Sequence, residues 1–215
     1  MKAKAPPAKA LPAEAPPADN VPEAALPPVY GLVLIGGQST RMGQDKSALD
    51  YHGKPQREHL TELLSPLCQT VYWSVNETQS RDLTHSDLLV DVYPETGPLG
   101  GLLTAFDTYP EVAWLPVPCD LPHLTLGTLQ ALLTNRDPAM LATAFWNADR
   151  TGPEPLVSLW EPSAGPVLRA WFGAGNRSPR RFLATHPVTL INVPDARAFE
   201  NVNDWAGYLR IRQGQ

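Results

Sequence analysis

The sequence has few cysteines and no surplus of positive charge. Cys68 and Cys119 are the only cysteines among 215 residues, too few for a disulfide framework or a cysteine metal site, and this scarcity favours a reducing compartment. Lys and Arg total 17 against 22 Asp and Glu, a formal net charge of -5, so the chain lacks the basic surface that holds nucleic acid by its phosphates. We therefore expect no nucleic-acid partner, and any phosphate that the protein binds must be held by a local site.

Long apolar runs are also missing. No stretch approaches the roughly 20 apolar residues needed to span a bilayer. The first residues lack the apolar block of a signal peptide. We expect a cytoplasmic protein that does not associate with membranes.

Residues 1–28 are dominated by Ala, Pro, Lys and Glu, and they contain three proline pairs, Pro6-Pro7, Pro16-Pro17 and Pro27-Pro28. Proline blocks helices and cannot donate a hydrogen bond to a sheet, so we predict a disordered or polyproline-like tail. This composition suits either a plain linker or a segment that docks onto a partner protein. Residues 29–215 are predicted to form a single domain.

From Tyr30 onward, short apolar runs alternate with segments of helical periodicity. This alternation is typical of a mostly parallel sheet covered by helices, and it predicts a three-layer α/β/α fold of the Rossmann-like class. The predicted strands are residues 30–35, 71–75, 88–92, 112–117, 140–144, 156–160 and 188–193. The predicted helices are residues 55–67, 100–108, 125–133, 167–172 and 179–185, with a last helix from 204.

A glycine-rich loop, residues 36–46, follows the first strand directly. Gly36 and Gly37 have no Cβ and let backbone N–H groups approach phosphate oxygens, while Arg41 adds a planar fork of donors and Lys46 a point charge. The spacing differs from both the Walker loop and the dinucleotide fingerprint. We interpret the loop as a cradle for a triphosphate; the alternative is a simple turn with solvated basic side chains.

Asp120 ends an apolar strand and lies between Pro118 and Pro122, which restrict the backbone around it. Mg²⁺ prefers one or two carboxylates together with substrate phosphates and water, so a single aspartate at a strand end can serve as its protein ligand. The alternative is that Asp120 caps the next helix in competition with Thr125.

Several segments resemble the signature of the molybdenum cofactor guanylyltransferases, a group within the wider nucleotidyltransferase family. The resemblance starts at Leu34-Ile35-Gly36-Gly37 and continues from about residue 30 to the C-terminus, in the order found in that family. The other matching segments are Arg41-Met42-Gly43, Asp45-Lys46, Gly53-Lys54-Pro55, Gly97-Pro98-Leu99-Gly100-Gly101, Pro118-Cys119-Asp120-Leu121-Pro122, Pro155-Leu156 and Asn201-Val202-Asn203.

The resemblance implies roles for individual residues. It implies that Arg41, Lys46 and Asp120 are catalytic and that Asp120 is the Mg²⁺ ligand. Ser74 departs from the asparagine that is usual at that strand end, and Asn76 is a candidate substitute. The residues implied to bind the nucleotide are Leu34, Ile35, Gly36, Gly37, Lys46, Ser74, Asp91 and Asp120.

The second half of the chain resembles the acceptor side of the same family. The acceptor-binding candidates are Pro155, Arg177, Arg181, Asn201 and Asn203. Ser178 and Pro179 have the pattern of a helix start, which attracts anions, so the neighbouring arginines either hold the acceptor's phosphate or solvate a helix face. Asn203 can also act as a simple helix cap.

The function implied by the resemblance is transfer of GMP from GTP to the phosphate of molybdopterin, or of its molybdenum-loaded form, with release of pyrophosphate. A phosphate monoester with a second pKa of about 6 is already ionised at neutral pH, so no protein base is needed. In agreement, the five histidines show no metal-ligand spacing, and no Gly-x-Ser-x-Gly elbow is present.

Three alternatives remain open at this point. A molybdopterin cytidylyltransferase would use CTP, although the Gly36-Gly37 pair with Asp45-Lys46 resembles the guanylyl group more closely. A sugar-phosphate nucleotidyltransferase shares the loop and the metal ligand but usually has a longer chain. A non-catalytic nucleotide-binding or cofactor-delivery module would use the tail to dock a molybdoenzyme or a partner in cofactor synthesis.

Overall fold

The computed structural model describes residues 25–36, 45–147, 149–202 and 204–212. The strands are β1 (Val29–Leu34), β2 (Thr70–Val75), β3 (Leu88–Val90), β4 (Ala113–Pro118), β5 (Ala142–Trp146), β6 (Pro153–Trp160) and β7 (Val188–Ile191). The helices are α1 (Gln56–Leu64), α2 (Glu77–Asp82), α3 (Pro98–Thr108), α4 (Leu126–Thr134), α5 (Ala164–Gly173), α6 (Pro179–Thr185) and α7 (Trp205–Arg212). Two 3-10 helices span Lys46–Ala48 and Ala196–Phe199. None of the helices in these ranges combines the length and the apolar character needed to cross a bilayer.

The seven strands form one sheet in the order β3-β2-β1-β4-β6-β5-β7. Strands β1 to β4 pair in parallel, β5 pairs in parallel with β7, and only β6 runs antiparallel to its neighbours β4 and β5. The predicted mostly parallel sheet is therefore confirmed, with one reversed strand inside it.

Successive residues of β1 pack on opposite faces of the sheet, as the two-residue period of a strand requires. Val33 belongs to an apolar core that includes Leu60 of α1 and Leu129 of α4. Leu32 belongs to a second core that includes Phe106 of α3. Helices thus cover both faces, which confirms the three-layer α/β/α arrangement.

The predicted strands and helices are present with ends shifted by up to three residues, and helix α2 and the two 3-10 helices are additional. Strand β3 ends at Val90, because Asp91 begins a turn in which its side chain accepts a hydrogen bond from the Tyr93 N–H at 2.7 Å. Helix α2 was not predicted, although its capping box is present in the sequence: the Asn76 side chain accepts from the Gln79 N–H, and the Gln79 side chain accepts from the Asn76 N–H.

The predicted N-terminal tail lies mostly outside the described residues, which begin at Ala25, and residues 25–28 form neither helix nor strand. A buried ion pair fixes the point where this segment meets the domain. Arg136 donates to both carboxylate oxygens of Glu161 at 2.7 Å and to the Pro27 carbonyl at 2.8 Å. The side chains of Arg136 and Glu161 are only 6% and 2% exposed.

This ion pair generates a stability prediction. Replacing Arg136 with Met should lower the free energy of unfolding by about 3–5 kcal/mol, because the Glu161 carboxylate would remain buried without its partner. Lys54→Met is the matched control, since the Lys54–Glu62 pair is exposed and such pairs contribute about 0–1 kcal/mol. Urea unfolding of both variants measures the difference, and equal losses would contradict the prediction.

Candidate active site

The carboxyl ends of β1 and β4 open into a cleft of about 190 Å³. The two strands are parallel neighbours with Leu34 paired to Pro118, so the residues that follow them emerge side by side. The cleft is lined by Leu34, Ile35, Gly36, Lys46, Ser47, Pro98, Pro118, Cys119, Asp120 and Leu156. Five predicted site residues therefore meet here: Leu34, Ile35, Gly36, Lys46 and Asp120.

Three predicted site residues, Gly37, Arg41 and Asn203, lie outside the described residues. Their roles stay predictions.

Lys46 opens a 3-10 helix that ends at Ala48. The Asp45 side chain caps this helix by accepting a hydrogen bond from the Ser47 N–H at 2.9 Å. Asp45 therefore fixes the backbone of this segment, and the next residue, Lys46, lines the cleft.

Asp120 faces Lys46 within the cleft. Its Oδ1 atom is buried and has no hydrogen-bond partner among the described residues. Burial raises the pKa of Asp120, and the positive charge of Lys46 opposes that shift. A buried carboxylate oxygen without a hydrogen-bond partner favours a positive charge beside it.

The residues present fit a divalent cation. Oxygen ligands suit Mg²⁺, and its coordination shell is usually completed by substrate phosphates and water. In the ranges that the structure covers, no group of three or more His, Cys, Asp or Glu side chains is placed to hold a metal ion. Oxygens from a ligand and from water could complete the coordination of a metal held by Asp120.

Ser74 supports the β1 loop through its main chain. Its carbonyl accepts hydrogen bonds from the N–H groups of Ile35 and Gly36, each at 3.0 Å. Its side chain is 3% exposed and faces Gly101 of α3, where a Cβ would overlap the Ser74 hydroxyl. Asn76, the candidate substitute, is occupied in capping α2. Besides its pairing with β1 and β3 in the sheet, Ser74 therefore contacts the loop through its carbonyl and α3 through its side chain.

Asp91 lies behind the cleft wall formed by α3. Its Oδ1 accepts from the Tyr93 N–H at 2.7 Å and from the Thr104 hydroxyl at 3.1 Å, and burial raises its pKa. A Cβ on Gly100 would stand 2.7 Å from Asp91 Oδ2. The glycine pair of the Gly-Pro-Leu-Gly-Gly turn thus allows α3 to pack closely against both Asp91 and Ser74.

The acceptor-side candidates are not all brought to the cleft. The Arg177 guanidinium stacks 3.9 Å above the Phe172 ring and donates to the Phe172 carbonyl at 2.8 Å. The Arg181 guanidinium lies 5.9 Å from the Trp171 ring. Both cations are therefore packed on aromatic side chains of α5. The predicted N-cap of α6 is confirmed, since Ser178 accepts from the Arg181 N–H at 3.2 Å.

The remaining two acceptor-side candidates with described positions are nearer to Asp120. Pro155 precedes Leu156, which lines the cleft. Asn201 is exposed and precedes Val202, whose N–H donates to the Asp120 carbonyl at 2.9 Å. A second pocket of about 340 Å³ opens beside this contact and is lined by His123, Glu200, Asn201, Val202, Asp204, Gly207, Arg210 and Ile211.

Sequence reasoning missed two groups near Asp120. Burial, the neighbouring Tyr208 and the Asp120 charge raise the pKa of Tyr51 to about 12. Burial raises the pKa of Glu154, Arg180 opposes the shift, and Asp120 adds to it. One signal for Glu154 was available, because this residue lies between two prolines at the start of an apolar strand, as Asp120 lies between two prolines after the end of one.

A cleft at the carboxyl ends of adjacent parallel strands is where open α/β folds bind their ligands, and this arrangement is typical of nucleotide-binding α/β enzymes. Residues 31–190 match the model of the MobA-like NTP transferase domain. The chain belongs to this family, and it is a nucleotidyltransferase.

Named relatives agree with this family. The molybdenum cofactor guanylyltransferase of Burkholderia lata is 32% identical over 197 residues, which cover 86% of this chain and 96% of that protein. The molybdenum cofactor biosynthesis bifunctional protein of Synechocystis sp. is 33% identical over 186 residues, but the chain spans only 54% of its length.

A solved structure shows the same fold. The molybdopterin-guanine dinucleotide biosynthesis protein A of Archaeoglobus fulgidus superimposes with a TM-score of 0.71 at 22% identity, covering 86% of this chain and 97% of that one.

The contact between α3 and Ser74 generates a second prediction. Gly101→Ala should lower the free energy of unfolding by about 1–3 kcal/mol, because the added methyl overpacks the interface with Ser74 and Leu34. Gly173→Ala in α5 is the control, since a Cβ there would meet no atom within 4 Å.

Urea unfolding of the two variants measures the difference. Ser74→Ala removes the overlapping hydroxyl and should restore part of the stability lost in Gly101→Ala. If Gly101→Ala were as stable as Gly173→Ala, the close approach of α3 to β2 would be wrong.

Proposed function

We propose that the protein transfers GMP from GTP to the phosphate of molybdopterin, or of its molybdenum-loaded form, and releases pyrophosphate. The observation that carries this proposal is the placement of Lys46 and Asp120 around one cleft at the ends of β1 and β4. The names of the relatives at 32% and 33% identity support the choice of nucleotide and acceptor.

The chain's own groups would bind and orient the triphosphate. The backbone of Leu34 to Gly36, held by the Ser74 carbonyl, forms one wall of the cleft. Lys46 would neutralise charge on the phosphates, and Asp120 would hold a divalent cation, which we infer to be Mg²⁺. When bound, such a cation stabilises the charge that develops on the phosphate oxygens during transfer.

The transfer would proceed by in-line attack. An oxygen of the acceptor's phosphate forms a bond to the α-phosphorus of GTP, and the bond from that phosphorus to the bridging oxygen of pyrophosphate breaks. The acceptor phosphate is already ionised at neutral pH, since its second pKa is about 6, so no side chain has to remove a proton. Catalysis would then consist of positioning and charge stabilisation.

The acceptor would approach from the side of Pro155 and Asn201. Asn201 is exposed on a segment that is hydrogen-bonded to the Asp120 backbone through Val202, and Leu156 lies in the cleft beside Asp120. Arg177 and Arg181 would contribute only if they left their aromatic partners on α5.

We also place the reaction in the cytoplasm, because both cysteines are free thiols.

The choice of base can be measured with a thermal-shift panel of GTP, CTP, ATP and UTP, each with Mg²⁺. Ligand at about 100 times its dissociation constant stabilises the folded state by about 2.7 kcal/mol, so a binding nucleotide raises the melting temperature clearly. We expect GTP to give the largest shift. Selective stabilisation by CTP would replace the guanylyl assignment by a cytidylyl one, and no shift with any nucleotide would contradict both.

Asp120→Asn should abolish turnover and yet stabilise the protein without metal. The raised pKa of Asp120 means that, at neutral pH, its carboxylate costs more in the folded state than in the unfolded state. Asparagine removes that cost. The gain should therefore be full above the folded-state pKa and shrink as pH falls through it toward the unfolded value of about 3.9.

Urea unfolding at several pH values without divalent cations tests the stability effect, and a pyrophosphate-release assay with GTP and molybdopterin tests turnover. Asp82→Asn, an exposed position at the end of α2, is the control and should change neither. Near-normal pyrophosphate release by Asp120→Asn would contradict the proposed role of Asp120 as the ligand of the divalent cation.

A further inference from the structure

The first turn of α1 lies against the segment that carries Lys46. Arg57, in this turn, places its Nη1 3.3 Å from the Ser47 hydroxyl and 3.7 Å from Asp45 Oδ2. Its guanidinium carbon lies 5.7 Å from the centre of the Trp73 ring, and its side chain is 17% exposed. Arg57 therefore contacts the residues on both sides of Lys46.

Those two residues are themselves joined. Asp45 accepts from the Ser47 N–H, and Ser47 is buried and lines the cleft. The Gln56 N–H, one residue before Arg57, donates to the Leu49 carbonyl at 2.9 Å. The 3-10 helix is thus held at both ends by the start of α1.

A helix of three residues cannot hold its own shape in water, because the cost of nucleation exceeds what one turn returns. The direction in which Lys46 leaves the backbone therefore depends on contacts from outside the helix. Misplacing a charged group by about 1 Å weakens its action on a ligand strongly. Arg57, which lies outside this helix, contacts the Ser47 hydroxyl and the Asp45 carboxylate.

Arg57 is also a poor choice for stability alone. Its Nε atom is buried without a hydrogen-bond partner among the residues described. A buried unsatisfied donor costs free energy, whereas a methionine would pack on Trp73 with no polar atom to satisfy. The unsatisfied Nε donor destabilises the folded state, so we explain the arginine by the contacts of its Nη1 atom with Ser47 and Asp45.

We propose that Arg57 is a positioning residue for the nucleotide phosphates: through Asp45 and Ser47 it fixes Lys46 in the cleft opposite Asp120. This inference rests on the proposed function, in which Lys46 binds the triphosphate. Lysine could not replace it fully, because an ammonium is a point charge and lacks the planar fork that reaches two acceptors while lying on an aromatic ring.

The test compares Arg57→Met with Lys46→Met and with the double variant, by titrating each with GTP and Mg²⁺. Arg57→Met should weaken binding about tenfold, the order expected when one charged hydrogen bond is lost, without lowering the melting temperature. In the Lys46→Met background the same change should have no further effect, since residues that act as one unit are not additive.

Two further variants separate positioning from other effects. Arg57→Lys should recover part of the lost affinity. Lys54 lies three positions before Arg57 and forms an exposed ion pair with Glu62. Lys54→Met removes a positive charge there and should change GTP binding less than twofold. Equal losses in Lys54→Met and Arg57→Met, or additive losses with Lys46→Met, would overturn the inference.

Amide hydrogen exchange tests the positioning role of Arg57 without a bound nucleotide. In Arg57→Met the amides of Ser47, Ala48 and Leu49 should exchange faster than in the wild type, even without ligand. Unchanged exchange there would refute the positioning role while leaving the proposed function intact. If the wild type bound no nucleoside triphosphate, the proposed function would fail, and this exchange measurement would still decide whether Arg57 holds the segment.

Discussion

The parallel pairing of β1 with β4 is the constraint on which the site depends. With Leu34 beside Pro118, the chain leaves both strands at the same edge of the sheet, so the residues after Leu34 and the carboxylate of Asp120 share one cleft. A shift of this register by one residue would turn every side chain of one strand to the other face of the sheet. The apolar cores on both faces, which contain Val33 and Leu32 respectively, therefore also fix the geometry of the cleft.

The cleft is supported mainly by residues that do not line it. The Ser74 carbonyl holds Ile35 and Gly36, and α3 can approach Ser74 because residue 101 has no side chain. On the other side, the Val202 N–H binds the Asp120 carbonyl and connects the C-terminal segment to the end of β4. Each wall is thus held by backbone hydrogen bonds from a neighbouring element.

Much of this could be predicted from the sequence, and the exceptions have physical reasons. Apolar period and proline flanks are local signals, and they predicted β1 and the strand that precedes Asp120, as the structure has them. The side-chain directions of Arg177 and Arg181 depend on Phe172 and Trp171, and this packing has no sequence signature. Ser74 was predicted to bind the nucleotide, a role that stays a prediction, whereas its described hydrogen bonds to the loop come from its carbonyl, a group that every residue possesses.

The position of Glu154 could not be predicted from the sequence either, because it depends on how distant strands pair. Strand β6 runs antiparallel to β4 with Trp114 paired to Trp160, and this direction brings the start of β6 toward the end of β4. The reversal within a mostly parallel sheet was not visible in the sequence. It adds a second carboxylate near Asp120: burial and the Asp120 charge raise the pKa of Glu154, while the Leu156 N–H and Arg180 oppose that shift. Under the proposed function, a divalent cation would balance the carboxylates, and the phosphates that accompany it would meet Lys46. Under the proposed function, the carboxylates whose burial destabilises the protein are the groups that would bind the cation and, through it, the substrate.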